Sequence, residues 1–519
     1  MVQELTVGKG RLKSNSARFG PTPLLVILVI GLGALGILSF AAGWNLAALA
    51  ATGMVGILLL WTVVAWKNSF RTALYFLLIL AIVWLPPLSP VGNVRLRIHQ
   101  LVFSLILPFI VLWRPRTVKR VDVWLVIFSV AIVLSLLMGY ASGNPPLLRD
   151  WFELAKPGFW WLMFSFGLGS RWRPDLKERA LWILLGTGVG VGLFTVAQYL
   201  DWGGINNWLT PLFVPVEERL SRLTYRAVGT FGNPNRLGLF MTAELCIALV
   251  FLLFSSPGKW RRLGLIAYLC GTVGIILLTS SRFAFAATAL SVGVLCWTRI
   301  RHGRFLPFTR ILIIGFGVLL AVVGGVLVLK QADLIASTMK AGQALRSGNP
   351  LVVTSYRLGM VTEEIDNSRR ISDWKTAWQL GMESPMFGSG PSKGVDEFTY
   401  FHSEYLSVFR RHGFFGLFVF LVLYGNIAVY AYRSFHDAIT RQDRQRMLVT
   451  LSALAVVSVF VMHGVFSNTF ASDFQMSAVL WWMIGVLYGR EEKPIMAKAD
   501  ASSYDKLRAR LTENRVNHL

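Results

Sequence analysis

Tyr400-Phe401-His402-Ser403-Glu404-Tyr405 closes the one long polar stretch of this chain, which begins near Gln331. About eleven hydrophobic spans precede that stretch and about three follow it, judged by the ~20 apolar residues a helix needs to cross a bilayer. The polar stretch, about 70 residues long, is therefore the only sizeable body of protein expected outside the membrane. Chemistry that needs water should meet it there.

The rest of the composition agrees. Of 519 residues, 54% are hydrophobic and only 15% charged, whereas about a quarter are charged in a soluble domain. The expected fold is an all-α polytopic membrane protein of about 12–14 transmembrane helices with one long extracytoplasmic loop that carries short helices. The first apolar run, Leu24 to Ala42, lacks a small-residue cleavage site and should stay in place. Cys246, Cys270 and Cys296 fall within spans and read as small apolar residues rather than a disulfide or metal set.

A net charge of +24 would suit a nucleic-acid partner, but Lys and Arg also gather in cytoplasmic loops because those loops resist translocation. With the N-terminus inside, about 32 of the 51 Lys and Arg residues fall on the cytoplasmic side. Orientation thus accounts for most of the basicity, and no nucleic acid is needed. The chain then divides into a cytoplasmic N-terminus (1–23), an N-terminal membrane bundle (24–330), the long outer loop (331–402), the C-terminal membrane helices (403–489) and a cytoplasmic tail (490–519).

Three helix starts on the outer side draw attention. In Arg226-Ala227-Val228-Gly229-Thr230-Phe231-Gly232-Asn233-Pro234-Asn235-Arg236, Asn233 suits a helix cap and Pro234 the first helical position. In Thr279-Ser280-Ser281-Arg282 a hydroxyl residue can cap the next span beside a guanidinium. Two helix N-termini with Arg226 and Arg282 would make an anion site suited to phosphate or diphosphate, with Asn233 and Asn235 at its edge. The alternative is that Arg226 and Arg236 pair with Glu217, Glu218 or lipid phosphate.

The third start is His402-Ser403-Glu404, where an imidazole that titrates near neutral pH and a carboxylate can point into one cavity. His412 and His463 are competing histidines. Arg149 and Lys156, in a run of alternating charges and aromatics before a short span, read by default as an interfacial helix with possible substrate contacts. Arg370 begins an amphipathic helix inside the long loop, and the tight turn Pro385-Met386-Phe387-Gly388-Ser389-Gly390 that follows could bring backbone close to a ligand at Gly388 and Gly390. The chain has no phosphate-binding Gly-rich loop with Lys, no His-Glu-x-x-His and no paired-Cys spacing. An enzyme here should take its energy from an already activated, lipid-linked substrate, with no cofactor and no metal.

At these residues the sequence resembles the O-antigen ligase and polymerase superfamily of bacterial membrane glycosyltransferases. The resemblance runs from about Arg226 to Tyr488. Its most specific parts are Gly229 to Asn235, Ser281-Arg282, Trp374 with Pro385 to Gly390, and His402 to Leu406 with His412 to Leu417. Where many relatives carry an Asn just after the histidine, this chain has Ser403-Glu404.

The resemblance implies a metal-independent transfer at the outer face of the bacterial inner membrane. Arg226 and Arg282 would hold the diphosphate of an undecaprenyl-diphosphate-linked glycan, and His402, with Glu404 beside it, would assist the acceptor hydroxyl. A repeat-unit polymerase is the first expectation. A ligase acting on lipid A core or a protein is the alternative, and an anionic-lipid transporter or flippase is the second. A transporter should place charges at mid-membrane, where Glu244 is the clear acidic candidate.

Overall fold

The computed structural model describes residues 82–84, 118–143, 148–168, 174–208, 210, 213, 226–255, 257–279, 281–302, 369–390, 402–467 and 473–489. All lie within one compact unit, 78–519. The spans expected at 24–42, 44–66, 98–113 and 311–329, nearly all of that at 70–88, the parts 331–368 and 391–401 of the long loop, and the tail lie outside the described residues.

The described residues hold helices and no strand. In chain order the helices are α1 (Arg120–Ala141), α2 (Leu148–Leu168), α3 (Pro174–Tyr199), the single turn α4 (Ile205–Trp208), α5 (Pro234–Phe254), α6 (Lys259–Thr279), α7 (Arg282–His302), α8 (Arg369–Glu383), α9 (Glu404–Thr440), α10 (Arg444–Phe466) and α11 (Phe474–Tyr488). Six of them, α1, α3, α5, α6, α9 and α10, are long and apolar enough to cross a membrane. The protein is an all-α polytopic membrane protein.

The centre of the bundle is α5, which is buried almost all round and packs against α3, α6, α7 and α10. A helix covered by its neighbours on nearly every side has no face left for lipid and lies inside the bundle. At its middle, the buried Glu244 accepts a hydrogen bond from Tyr268 of α6 at 3.0 Å. On α3, Gly188 leaves the space this pair occupies, since a side-chain carbon there would collide with the Tyr268 hydroxyl.

A second close contact joins α2 to α11. Gly167 and Gly485 let the two backbones touch, and Trp160 stacks on Trp481 with ring centroids 5.4 Å apart. Helix α2 runs unbroken through Pro157, so the charged run expected as a separate interfacial helix forms its first two turns. Asp150, Glu153 and Lys156 are buried there rather than spread over a surface.

The main departure from expectation is α9. The sequence suggests a span from about Phe414, but the helix begins at Glu404 and breaks at Gly413, which adopts φ 65°, ψ −168°. Fifteen residues of straight helix would separate Tyr405 from Phe420 by about 22 Å at 1.5 Å per residue, yet their rings lie 6.0 Å apart. The segment 404–412 therefore folds back along the membrane-crossing half of α9.

The turn Ser384–Gly390 fills the break. Phe414 and Phe415 donate their amides to the carbonyls of Pro385 and Met386 at 2.7 and 3.1 Å, while Ser389 and Gly390 donate to those of Arg410 and Arg411 at 3.4 and 3.2 Å. Backbone groups released by the helix break are thus paired from outside the helix, as a buried backbone requires.

Candidate functional site

The expected cap of α5 is present. Asn233 is extended and accepts from the Asn235 amide at 2.9 Å, with Pro234 as the first helical residue. Just before it, Arg226 and Ala227 lie across the end of α6. The Ala227 amide donates to the Leu278 carbonyl at 3.0 Å, and Arg226 donates from Nε to the Thr279 carbonyl at 2.8 Å and from Nη2 to the Asn235 side chain at 3.0 Å. Carbonyls left over at the end of a helix are satisfied in this way. These two neutral acceptors fix the direction of the guanidinium.

The start of α7 abuts the start of α5. A side-chain carbon at Gly238 would come 2.8 Å from the Ala284 Cβ and 3.3 Å from the Ser281 Cβ. Two helix N-termini, each a centre of partial positive charge, thus lie side by side with Arg226 between the helix ends. Arg282 is the first residue of α7; its side chain lies outside the described residues.

His402 sits immediately before the cap of α9 in a left-handed conformation, φ 47°. Few residues other than glycine adopt it, and such positions are enriched at functional sites. Ser403 caps the helix through the Leu406 amide at 3.5 Å, and Glu404, the first helical residue, is buried. Because 404–412 folds back, Glu404 lies within electrostatic range of the Tyr405 and Tyr424 hydroxyls. Tyr405 donates to the Val461 carbonyl of α10 at 2.8 Å.

The last two turns of α10 connect these parts. Phe466 stacks on Phe283, next to Arg282, with centroids 4.5 Å apart, while Val461 holds Tyr405. The starts of α7 and α9 therefore flank the same helix end. Trp374 of α8 packs against Phe466 as well, at 6.3 Å. The structure thus brings Arg226, Asn233 and Asn235 into one cluster beside the start of α7, and sets His402 and Glu404 across the end of α10 from it.

The other candidates fall elsewhere. Arg236 forms an ion pair with Asp473 at 2.9 Å; Glu217 and Glu218, named as its partners from the sequence, lie outside the described residues. Asp473 also caps α11 through the Gln475 and Met476 amides, both at 3.0 Å. Lys156 pairs with Glu153 at 2.6 Å, and Arg411 approaches the same carboxylate at 3.6 Å. Gly388 and Gly390, with φ 74° and 87°, pack against the Arg411 backbone and against α1. The side chains of Arg149 and Arg370 lie outside the described residues.

His412 is buried where α9 breaks, its Nδ1 2.8 Å from the Ser135 hydroxyl of α1. That hydroxyl also lies 2.8 Å from the Ile132 carbonyl of its own helix. Sequence reasoning missed Asp473 and the Glu153–Arg411 contact. An acid directly before the apolar run at Phe474 is a helix-start signal that could have found the first; the second joins residues far apart in the chain and left no local trace. Among the described residues, no three His, Cys, Asp or Glu side chains gather as a metal-ligand set.

No curated protein matches the chain. A family model described as O-Antigen ligase matches residues 266–421. The matched region runs from within α6 to the middle of α9 and takes in Arg282, the turn at Gly388, and the His402–Glu404 start, while Arg226, Asn233 and Asn235 lie before it. The chain thus carries an O-antigen ligase domain over residues 266–421, in support of the O-antigen ligase superfamily.

Proposed function

We propose that the protein moves a glycan from undecaprenyl diphosphate to a sugar hydroxyl at the outer face of the bacterial inner membrane. The observation that carries this reading is the convergence on one face of two helix N-termini with Arg226 and, across the end of α10, of the His402–Glu404 helix start. Arg226, Arg282 and the two N-termini would hold the diphosphate. The acceptor hydroxyl attacks the anomeric carbon, the bond from that carbon to the diphosphate oxygen breaks, and His402 takes the acceptor proton while undecaprenyl diphosphate leaves.

The charge pattern supports the outward orientation. Basic residues such as Lys259, Arg261, Arg262, Arg444 and Arg446 lie at the other ends of the same helices, as expected for cytoplasmic loops. The acceptor is read as the end of another lipid-linked repeat unit, which makes the protein a polymerase. The second reading, a ligase acting on lipid A core, is favoured by the description of the family that residues 266–421 match.

The test is transfer from a purified undecaprenyl-diphosphate glycan by the protein in vesicles. General-base assistance is typically worth ~10²–10⁴-fold, so His402→Ala should lose about that much while donor binding persists. Near-normal transfer by both His402→Ala and His402→Gln at matched protein levels would remove His402 from the mechanism and move the search to Glu404.

A further inference from the structure

Helix α8 presents three arcs when its residues are placed at 3.6 per turn. Ala377 and Gly381 form a buried arc, with Gly381 so close to Phe409 of α9 that a side-chain carbon there would collide with the ring. Next to it is an exposed apolar arc of Ile371, Trp378 and Met382. Beyond that, Ser372, Gln379 and Glu383 make an exposed polar arc, with Lys375 at the seam. A helix lying free in water would not place an uncovered Trp and Met between its packed side and its polar side.

The apolar arc continues onto α9. The exposed residues Phe414, Phe418, Leu421, Gly425, Val429 and Tyr432 recur every three or four positions along most of that membrane-crossing helix, which is the stripe a span turns to lipid. Trp378 meets the top of the stripe, its ring edge-to-face with Phe414 at 6.2 Å. Met386, 61% exposed, follows just after the helix, and Phe418 on α9 is equally exposed. Arc and stripe form one uncovered apolar surface.

We infer that α8 is an interfacial helix, seated in the bilayer surface on the candidate-site face, with Trp378, Met382 and Met386 contacting lipid and Gln379 and Glu383 in water. The occupant is bilayer lipid because the arc is continuous with the lipid stripe of α9 and bordered by Lys375, whose long stem can lie on apolar surface while its ammonium reaches the headgroups. Tryptophan is enriched at this depth. The last part of the long polar segment is thus partly within the membrane rather than clear of it, and the inference holds whatever reaction the site performs.

The experiment uses the full chain with Cys246, Cys270 and Cys296 replaced, in nanodiscs of phosphatidylethanolamine and phosphatidylglycerol. A nitroxide is attached at single cysteines at 378, 382 and 386, at 372 and 379, and at 418 as a lipid-facing reference. Collision with oxygen, which concentrates in lipid, is compared with collision with a water-soluble nickel chelate. Labels at 378, 382 and 386 should favour oxygen as 418 does, and labels at 372 and 379 should favour nickel. Nickel access at 382 and 386 equal to that at 379 would overturn the inference in favour of water, and exclusion of both reagents would overturn it in favour of a covering protein. Trp378 also packs on Phe409, so Met382 and Met386 decide the outcome if the substitution at 378 disturbs the fold.

Discussion

The Pro385 carbonyl accepts the Phe414 amide at 2.7 Å, so that the first residue after the break in α9 is held by a residue of the preceding turn. Around this bond, Gly388 and Gly413 lie against the backbones of Arg411 and Met386, both with positive φ. A side chain at either position meets strain and collision together.

Gly413→Ala and Gly388→Ala should each lower thermal stability by several kcal/mol, as do other changes that combine overpacking with a forbidden backbone conformation. Gly425→Ala, on the same helix with open space around it, should be neutral or gain up to ~1 kcal/mol from helix propensity. Melting of the detergent-solubilised protein reads the difference. Equal melting temperatures for the three variants would show that the turn is not locked into the break.

If Arg226 and Arg282 hold the donor diphosphate, loss of one charge-assisted contact should weaken donor use about 10- to 100-fold, from a contact worth ~1.5–3 kcal/mol. Arg282→Ala is the cleaner variant, because Arg226 also ties down the end of α6. Arg226→Lys should rescue only in part, since lysine lacks the planar fork. The rate is followed against donor concentration, and an unchanged dependence for Arg282→Ala would remove it from the anion site.

Asp473 does two things that substitution can separate. Asp473→Asn keeps an oxygen for the Gln475 and Met476 amides but gives up the charge facing Arg236, whereas Asp473→Ala loses both. Removing one partner of a buried ion pair costs ~3–5 kcal/mol, less here because Arg236 is partly exposed, and losing a cap costs ~1 kcal/mol more. Stability should therefore fall in the order wild type, Asn, Ala. An Ala variant as stable as the Asn variant would mean that the cap contributes nothing.

Ser135→Ala leaves His412 Nδ1 without its hydroxyl partner and should cost ~1–3 kcal/mol of stability. Transfer per folded molecule should stay within a few-fold of wild type, because His412 serves the junction of α1 and α9. A selective loss of activity at unchanged stability would instead bring His412 into the chemistry.

Much of this arrangement was legible in the chain. Asn233-Pro234 and Ser403-Glu404 announced helix starts because caps depend on a few adjacent residues, and both appear where expected. The fold-back of α9 was not legible, since no local signal marks it. His412-Gly413 reads equally well as part of a helix, and the pairing that accompanies the break comes from Pro385 and Met386, well before it in the chain. The burial of Glu153 and Lys156 was hidden for the same reason. Their surroundings include Arg411, more than 200 positions away in the chain.

The order of synthesis gives the break in α9 a further meaning. Ser384 to Gly390 emerge from the ribosome before Arg410 to Phe415, so the groups that complete the break precede the groups that need them. Unpaired amides and carbonyls at 410–415 would each cost several kcal/mol in lipid. In the outward orientation proposed above, membrane insertion of α9 in its bent form would depend on a segment that has already crossed to the other side, and translocation of the long loop would become a condition for assembling the C-terminal helices.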